Sequence, residues 1–147
     1  MNYSELAKEL LVIHAEFQHL PAGEALSEVS AGEIRALHFL LMNRGMARPT
    51  ELSRLMSVST ARISSLLRHL EEKGWVVRRP DANDERCVTV VLTSQGRALA
   101  RQRWEDAVCR LAELLAALGP QDAEDYLRIR KKMLAAASLK KDEGGGL

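Results

Sequence analysis

Between residues 59 and 73 the apolar positions Ile63, Leu66, Leu67 and Leu70 fall at i, i+3, i+4 and i+7, the spacing of one stripe along a helix. At about 100° per residue the opposite face carries Ala61, Ser65 and Arg68, with Thr60, Arg62 and Ser64 on its flanks. Upstream, Leu52, Leu55 and Met56 give a short helix its buried side, and Pro49 stands in the first turn, where a missing N–H costs nothing. Ser57, Val58 and Ser59 form the turn between the two helices, with Ser59 as the expected N-cap of the second. Gly74 closes that helix where a left-handed residue is wanted. Trp75 and Val77, then Val88, Val90 and Leu92, alternate as two strands joined by a long connection from Arg78 to Arg86. The pattern from 30 to 93 therefore predicts a helix-turn-helix followed by a hairpin wing.

The flanks follow another rhythm. Leu6, Leu10, Ile13, Phe17 and Leu20 recur in steps of four and three, a heptad seam on a helix expected over about 3–19. Trp104, Val108, Leu111, Leu115 and Leu118 repeat those steps, and Tyr126, Ile129, Met133 and Ala136 form a shorter third seam. Either these faces cover one another within one molecule, or the termini of two molecules interdigitate. The second is favoured, because a small readout module gains site length from two-fold symmetry.

Between the first helix and the module, residues 21–30 are expected as a connection. Ser30-Ala31-Gly32-Glu33 then has the form of a capping box opening a helix that buries Ile34, Leu37, Leu40 and Leu41 and ends near Asn43 to Gly45. Thr93 caps a long helix over 94–118, Gly119-Pro120 breaks it, and a last helix over about 122–138 leads to a frayed tail. The fold class expected is mainly α with a small β wing: a winged helix-turn-helix module, 30–93, flanked by dimerisation helices over 1–29 and 94–138, with a flexible tail over 139–147.

Charge sharpens the picture. The chain of 147 residues carries a formal net charge of +1, but the segment from Arg44 to Arg79 holds eight cations against three anions, leaving the rest at −4. A basic middle between acidic flanks suits a central module that meets phosphates. The hydrophobic content of 46% fits one globular domain, and no run of apolar residues reaches membrane-spanning length. The beginning, MNYSELAKELL, is acidic and amphipathic, unlike a signal peptide, and a cytoplasmic location is the default expectation. Cys87 and Cys109 lack metal-type spacing. No catalytic motif, Gly-rich phosphate loop, metal cluster or cofactor signature is evident, so an enzyme is not expected.

The outward face of the 59–73 helix then acquires a chemical meaning. Small residues let a backbone approach base edges in the DNA major groove, hydroxyls exchange hydrogen bonds there, and Arg pairs with a guanine edge. A merely solvated helix would more often alternate Glu and Lys. Ser59, Thr60, Ala61, Arg62, Ser64, Ser65 and Arg68 are thus the candidate readers of double-stranded DNA, with Arg79 as a phosphate contact and the basic hairpin as a minor-groove probe. The competing reading is a winged module that binds protein, against which the absence of an aromatic anchor on this face argues.

With these elements in place the chain resembles the MarR family of bacterial transcriptional regulators. The resemblance rests on Asp84-x-Arg86-x-x-x-Val90-x-Leu92-Thr93, the wing pattern of that family, preceded by Leu70-Glu71-Glu72-Lys73-Gly74-Trp75-Val76 at the end of the recognition helix. It implies a homodimer with interlocked terminal helices and two winged modules on a pseudo-palindromic operator. It also implies Arg86 in the minor groove, with Asp84 orienting it or a neighbouring arginine, the other reading of Asp84 being a turn cap. Members of the family often respond to small phenolic or aromatic carboxylates, for which His14, Phe17, Arg35 and His38, beside Phe39, are the candidate contacts. Others sense oxidants through a cysteine on the first helix; none lies there, and a thiol switch would have to use Cys87 or Cys109.

Overall fold

The structure, a computed structural model, describes residues 1–144. Seven helices and three strands follow in the order α1 (Tyr3–Gln18), α2 (Pro21–Ser30), α3 (Gly32–Met42), β1 (Met46–Ala47), α4 (Pro49–Met56), α5 (Thr60–Glu72), β2 (Val76–Pro80), β3 (Val88–Leu92), α6 (Ser94–Leu118) and α7 (Pro120–Gly144). The chain divides into two compact units, Met1–Arg110 and Leu111–Leu147.

In the first unit the apolar stripes close on one another. Leu37 and Leu40 of α3, Leu52 of α4, Ile63, Leu67 and Leu70 of α5, and Val76 and Val90 of the sheet are the largest fully buried side chains. Each contributes about 1.5–3 kcal/mol relative to exposure. They fasten the helix-turn-helix onto a three-stranded antiparallel sheet in the order β1-β3-β2. This is a mainly helical winged helix-turn-helix fold, as the periodicities predict.

Several expectations are corrected. Residues 21–30 form α2 rather than a connection. Pro21 starts it, and Ala22, Ala25, Leu26 and Val29 hold a helical stripe that the small residues conceal. Gly23 reads as a breaker but is a packing residue: a Cβ there would lie 1.9 Å from the Phe17 carbonyl oxygen, so only glycine lets α2 come this close to the end of α1. Consequently the capping box does not form. Ser30 is the last residue of α2 and its hydroxyl donates to the Leu26 carbonyl at 2.5 Å, while Ala31 begins α3 without a side-chain cap.

The wing register also differs. Val76 pairs with Leu92 and Arg78 with Val90, so Val76, not Trp75 or Val77, shares the buried face with Val90 and Leu92; Val88 is exposed. The two-residue strand β1 pairs with β3 and is too short for any alternation to announce it. Thr93 caps α6 as expected: its hydroxyl accepts from Gly96 N–H at 3.0 Å and donates to the Gly74 carbonyl at 2.7 Å.

In the second unit Gly119, at φ 84°, and Pro120 separate the end of α6 from α7. The helix α7 runs on to Gly144, so the part of the expected frayed tail over 139–144 is helical, and its last three residues lie outside the described ones. No helix among the described residues is long and apolar enough to cross a membrane.

Candidate nucleic-acid interface

The helix α5 is anchored from within and capped from outside. Ser59 keeps an extended backbone and its hydroxyl accepts the Arg62 N–H at 3.2 Å, satisfying one of the free donors of the first turn. The turn before it depends on Ser57 at φ 54° and on the Ser53 hydroxyl, which donates to the Val58 carbonyl at 2.6 Å. With Ile63, Leu67 and Leu70 buried, Thr60, Ala61, Arg62, Ser64, Ser65 and Arg68 are all exposed on the remaining surface. The expected reading face is therefore physically present as one contiguous helix surface.

The wing stands beside it. Its tip, 81–87, is closed at the base by Asp81 N–H donating to the Cys87 carbonyl at 2.9 Å, and Arg79, Asp84 and Arg86 are exposed. Asp84 acts as a turn cap: it accepts the Arg86 backbone N–H at 3.1 Å and the Cys87 thiol at 3.6 Å. Among the described residues its carboxylate makes no ion pair, so the orienting bond to an arginine guanidinium is not formed here.

The wing-tip carboxylate that does hold an arginine is Asp81, which the sequence reading missed. It accepts from Arg48 Nε at 3.0 Å, from the Thr89 hydroxyl at 3.0 Å and from Asn83 N–H at 2.9 Å. The hydrogen bond from Arg48, followed by those from Asn83 and Thr89, holds its carboxyl far below the usual carboxylate range. Thirty-three positions separate Arg48 from Asp81, so no local spacing could have paired them.

These pairings redistribute the basic charge of the segment. Arg48 is held by Asp81, Lys73 by Glu33 at 2.7 Å and Arg78 by Glu71 at 2.9 Å. Among the described residues no ion pair engages Arg54, Arg62, Arg68, Arg79 or Arg86. Besides Arg44 in the turn after α3, the cations left free are those on the helix-turn-helix and the wing, where a phosphate or a base edge could meet them.

The residues expected to meet an effector are dispersed into separate pairs. His14 is exposed and hydrogen-bonded to Gln18 at 3.1 Å, and Phe17 is half-buried at the close approach of α1 and α2. Arg35 lies 5.2 Å above the Phe39 ring and lines a cleft of about 110 Å³ with Met56, Val58, Arg62 and Leu66. His38 stacks on Trp104 with ring centroids 4.1 Å apart; burial lowers its pKa, and its Nδ1 has no hydrogen-bond partner among the described residues. Trp104 was expected only as a seam residue. Cys87 is half-buried and Cys109 exposed, both as free thiols, and the described residues contain no group of side chains suited to a metal ion.

Comparison with known proteins bears on this geometry. Residues 27–86 match the MarR family. The chain is 28% identical over 97 residues, 66% of its length, to the transcriptional repressor MprA of Escherichia coli, of which the match spans 55%. It is 32% identical over 103 residues to the HTH-type transcriptional repressor Mb2911 of Mycobacterium bovis, covering 69% of this chain and 72% of that one. A Cys-to-Ser variant of MarR from Escherichia coli, solved in complex with operator DNA, superposes with a TM-score of 0.61 at 26% identity over 86% of this chain and 91% of that one. With the recognition helix, the wing and these relatives agreeing, the chain belongs to the MarR family of transcriptional regulators.

Proposed function

We propose that this protein is a dimeric, sequence-specific DNA-binding transcriptional repressor. The observation that carries the reading is the exposed face of α5, in which Ala61, Ser64 and Ser65 lie among Arg62 and Arg68, beside a wing that carries Arg79 and Arg86, none of these arginines in an ion pair among the described residues. Small and hydroxylated residues permit close approach to base edges, and free arginines supply the base and phosphate contacts. Thr60 and the capped N-terminus of α5 add backbone N–H groups for a phosphate. Arg86 enters the minor groove from the wing, with Asp84 shaping the turn that presents it.

Two such modules would read a pseudo-palindromic operator from one side of the duplex, the dimer covering the apolar seams of the long helices. A protein of this kind works where the chromosome is, in the cytoplasm, and is not an enzyme. Release by a small aromatic or phenolic anion is supported by the guanidinium of Arg35 above Phe39 at the cleft shared with Arg62 of α5. A ligand there would act on the reading helix itself.

Selection from random duplexes, followed by anisotropy titration against rising salt, tests the reading. Two half-sites about one helical turn apart and a steep loss of affinity with salt are expected. A salt-insensitive protein that shifts no duplex at low ionic strength would overturn it. Repeating the titration with a panel of aromatic carboxylates, with and without Arg35→Ala, checks the effector.

A further inference from the structure

The structure assigns to Asp81 and Arg48 the role of a clasp that fixes the wing against the helix-turn-helix, making both of them positioning residues for the wing arginine Arg86. This rests on the DNA-binding reading above and deepens it. Arg48 precedes Pro49 and is the N-cap of α4; its carbonyl accepts from Glu51 and Leu52 N–H, so its backbone belongs to the helix-turn-helix. Asp81 is the first residue after β2, and its N–H closes the wing loop on the Cys87 carbonyl. One carboxylate therefore joins three parts of the fold: Arg48 at the start of α4, Thr89 on β3, and Asn83 within the wing tip.

The bond is sheltered on one side, since the Asp81 side chain is 12% exposed whereas that of Arg48 is 42% exposed. Beyond the clasp the tip is held chiefly by its own turn, Asp84 to Arg86 and Cys87. Arg86 itself makes no ion pair among the described residues, so its position relative to α5 follows from where the base of the wing is pinned. Without the clasp, binding would have to order the wing at the moment of contact and would lose affinity for that reason.

The test is a double-variant cycle on operator binding by the full chain, using Asp81→Asn, Arg86→Ala and the two together. Asp81→Asn is expected to weaken binding on the order of tenfold, and the double variant to bind no more weakly than Arg86→Ala alone, because the clasp acts through Arg86. The exchange Arg48→Asp with Asp81→Arg should recover part of the loss that either single change causes. Losses that simply add, or an Asp81→Asn defect matched by a fall in thermal midpoint and equal on random duplex, would overturn the clasp and leave the DNA-binding reading standing. A wild-type chain that binds no duplex would overturn both, so the two failures are told apart by the parent protein.

Discussion

The winged module and the long helices contain the same arithmetic of apolar residues, three and four apart, and the structure treats them in opposite ways. In α3, α4 and α5 the stripes close on one core, where Leu37, Leu40, Leu52 and Leu67 are wholly inaccessible, although Leu55, expected on the buried side of α4, is 44% exposed. The helix α1 buries no residue at all, leaving Leu6, Leu10 and Ile13 in the open, and α7 exposes Tyr126, Ile129, Met133 and Leu134. A stripe is buried when its complement lies in the same chain. When it does not, apolar surface stays exposed, and the proposed dimer would cover it with the same surface of a second copy.

The sharpest way to break this contrast is to remove volume from each region. Leu37→Ala should lower unfolding free energy by about 2–5 kcal/mol in denaturant titration, the cost of a core cavity. Leu10→Asp should spare the module but shift sedimentation toward the monomer; a variant that stays dimeric would show that α1 is not part of the interface. Next in size, Arg68→Ala should cost about 1–3 kcal/mol of operator affinity and relax base preference, while Arg79→Ala should weaken all duplexes alike and reduce the salt slope by about one. Unchanged preference in Arg68→Ala would move the reading face elsewhere on α5.

Ser59→Ala, which removes the cap of α5, should cost about 1 kcal/mol of stability, visible in the same titration. The smallest effect concerns His38. Burial against Trp104 lowers its folded pKa, so below the ordinary imidazole range the unfolded chain takes up a proton that the folded chain refuses. Stability should fall as pH drops through that range and recover above it, and His38→Phe should flatten this part of the profile.

What could be read from the residues alone was much of what is encoded within a few positions, though not the helix over 21–30 or the fate of Ser30. The recognition helix, its Ser59 cap, the left-handed Gly74 at φ 74°, the Thr93 cap and the Gly119-Pro120 break all stand where local spacing places them. Each depends on side chains and backbone within one or two helical turns. The exposed face of α5 was legible for the same reason, since fixing the buried stripe fixes its opposite.

Tertiary structure decided the rest. Gly23 looked like a linker residue because its purpose, admitting the Phe17 carbonyl, exists only once α1 and α2 pack. The strand phase at Val76 depended on pairing with Leu92, and β1 on an edge of β3 that no two-residue pattern can signal. The clasp of Arg48 on Asp81 and the stacking of His38 on Trp104 join residues far apart in the chain, where polar and aromatic side chains find partners by geometry rather than by period. Sequence spacing constrains what lies on one element; only the folded chain determines which elements face each other.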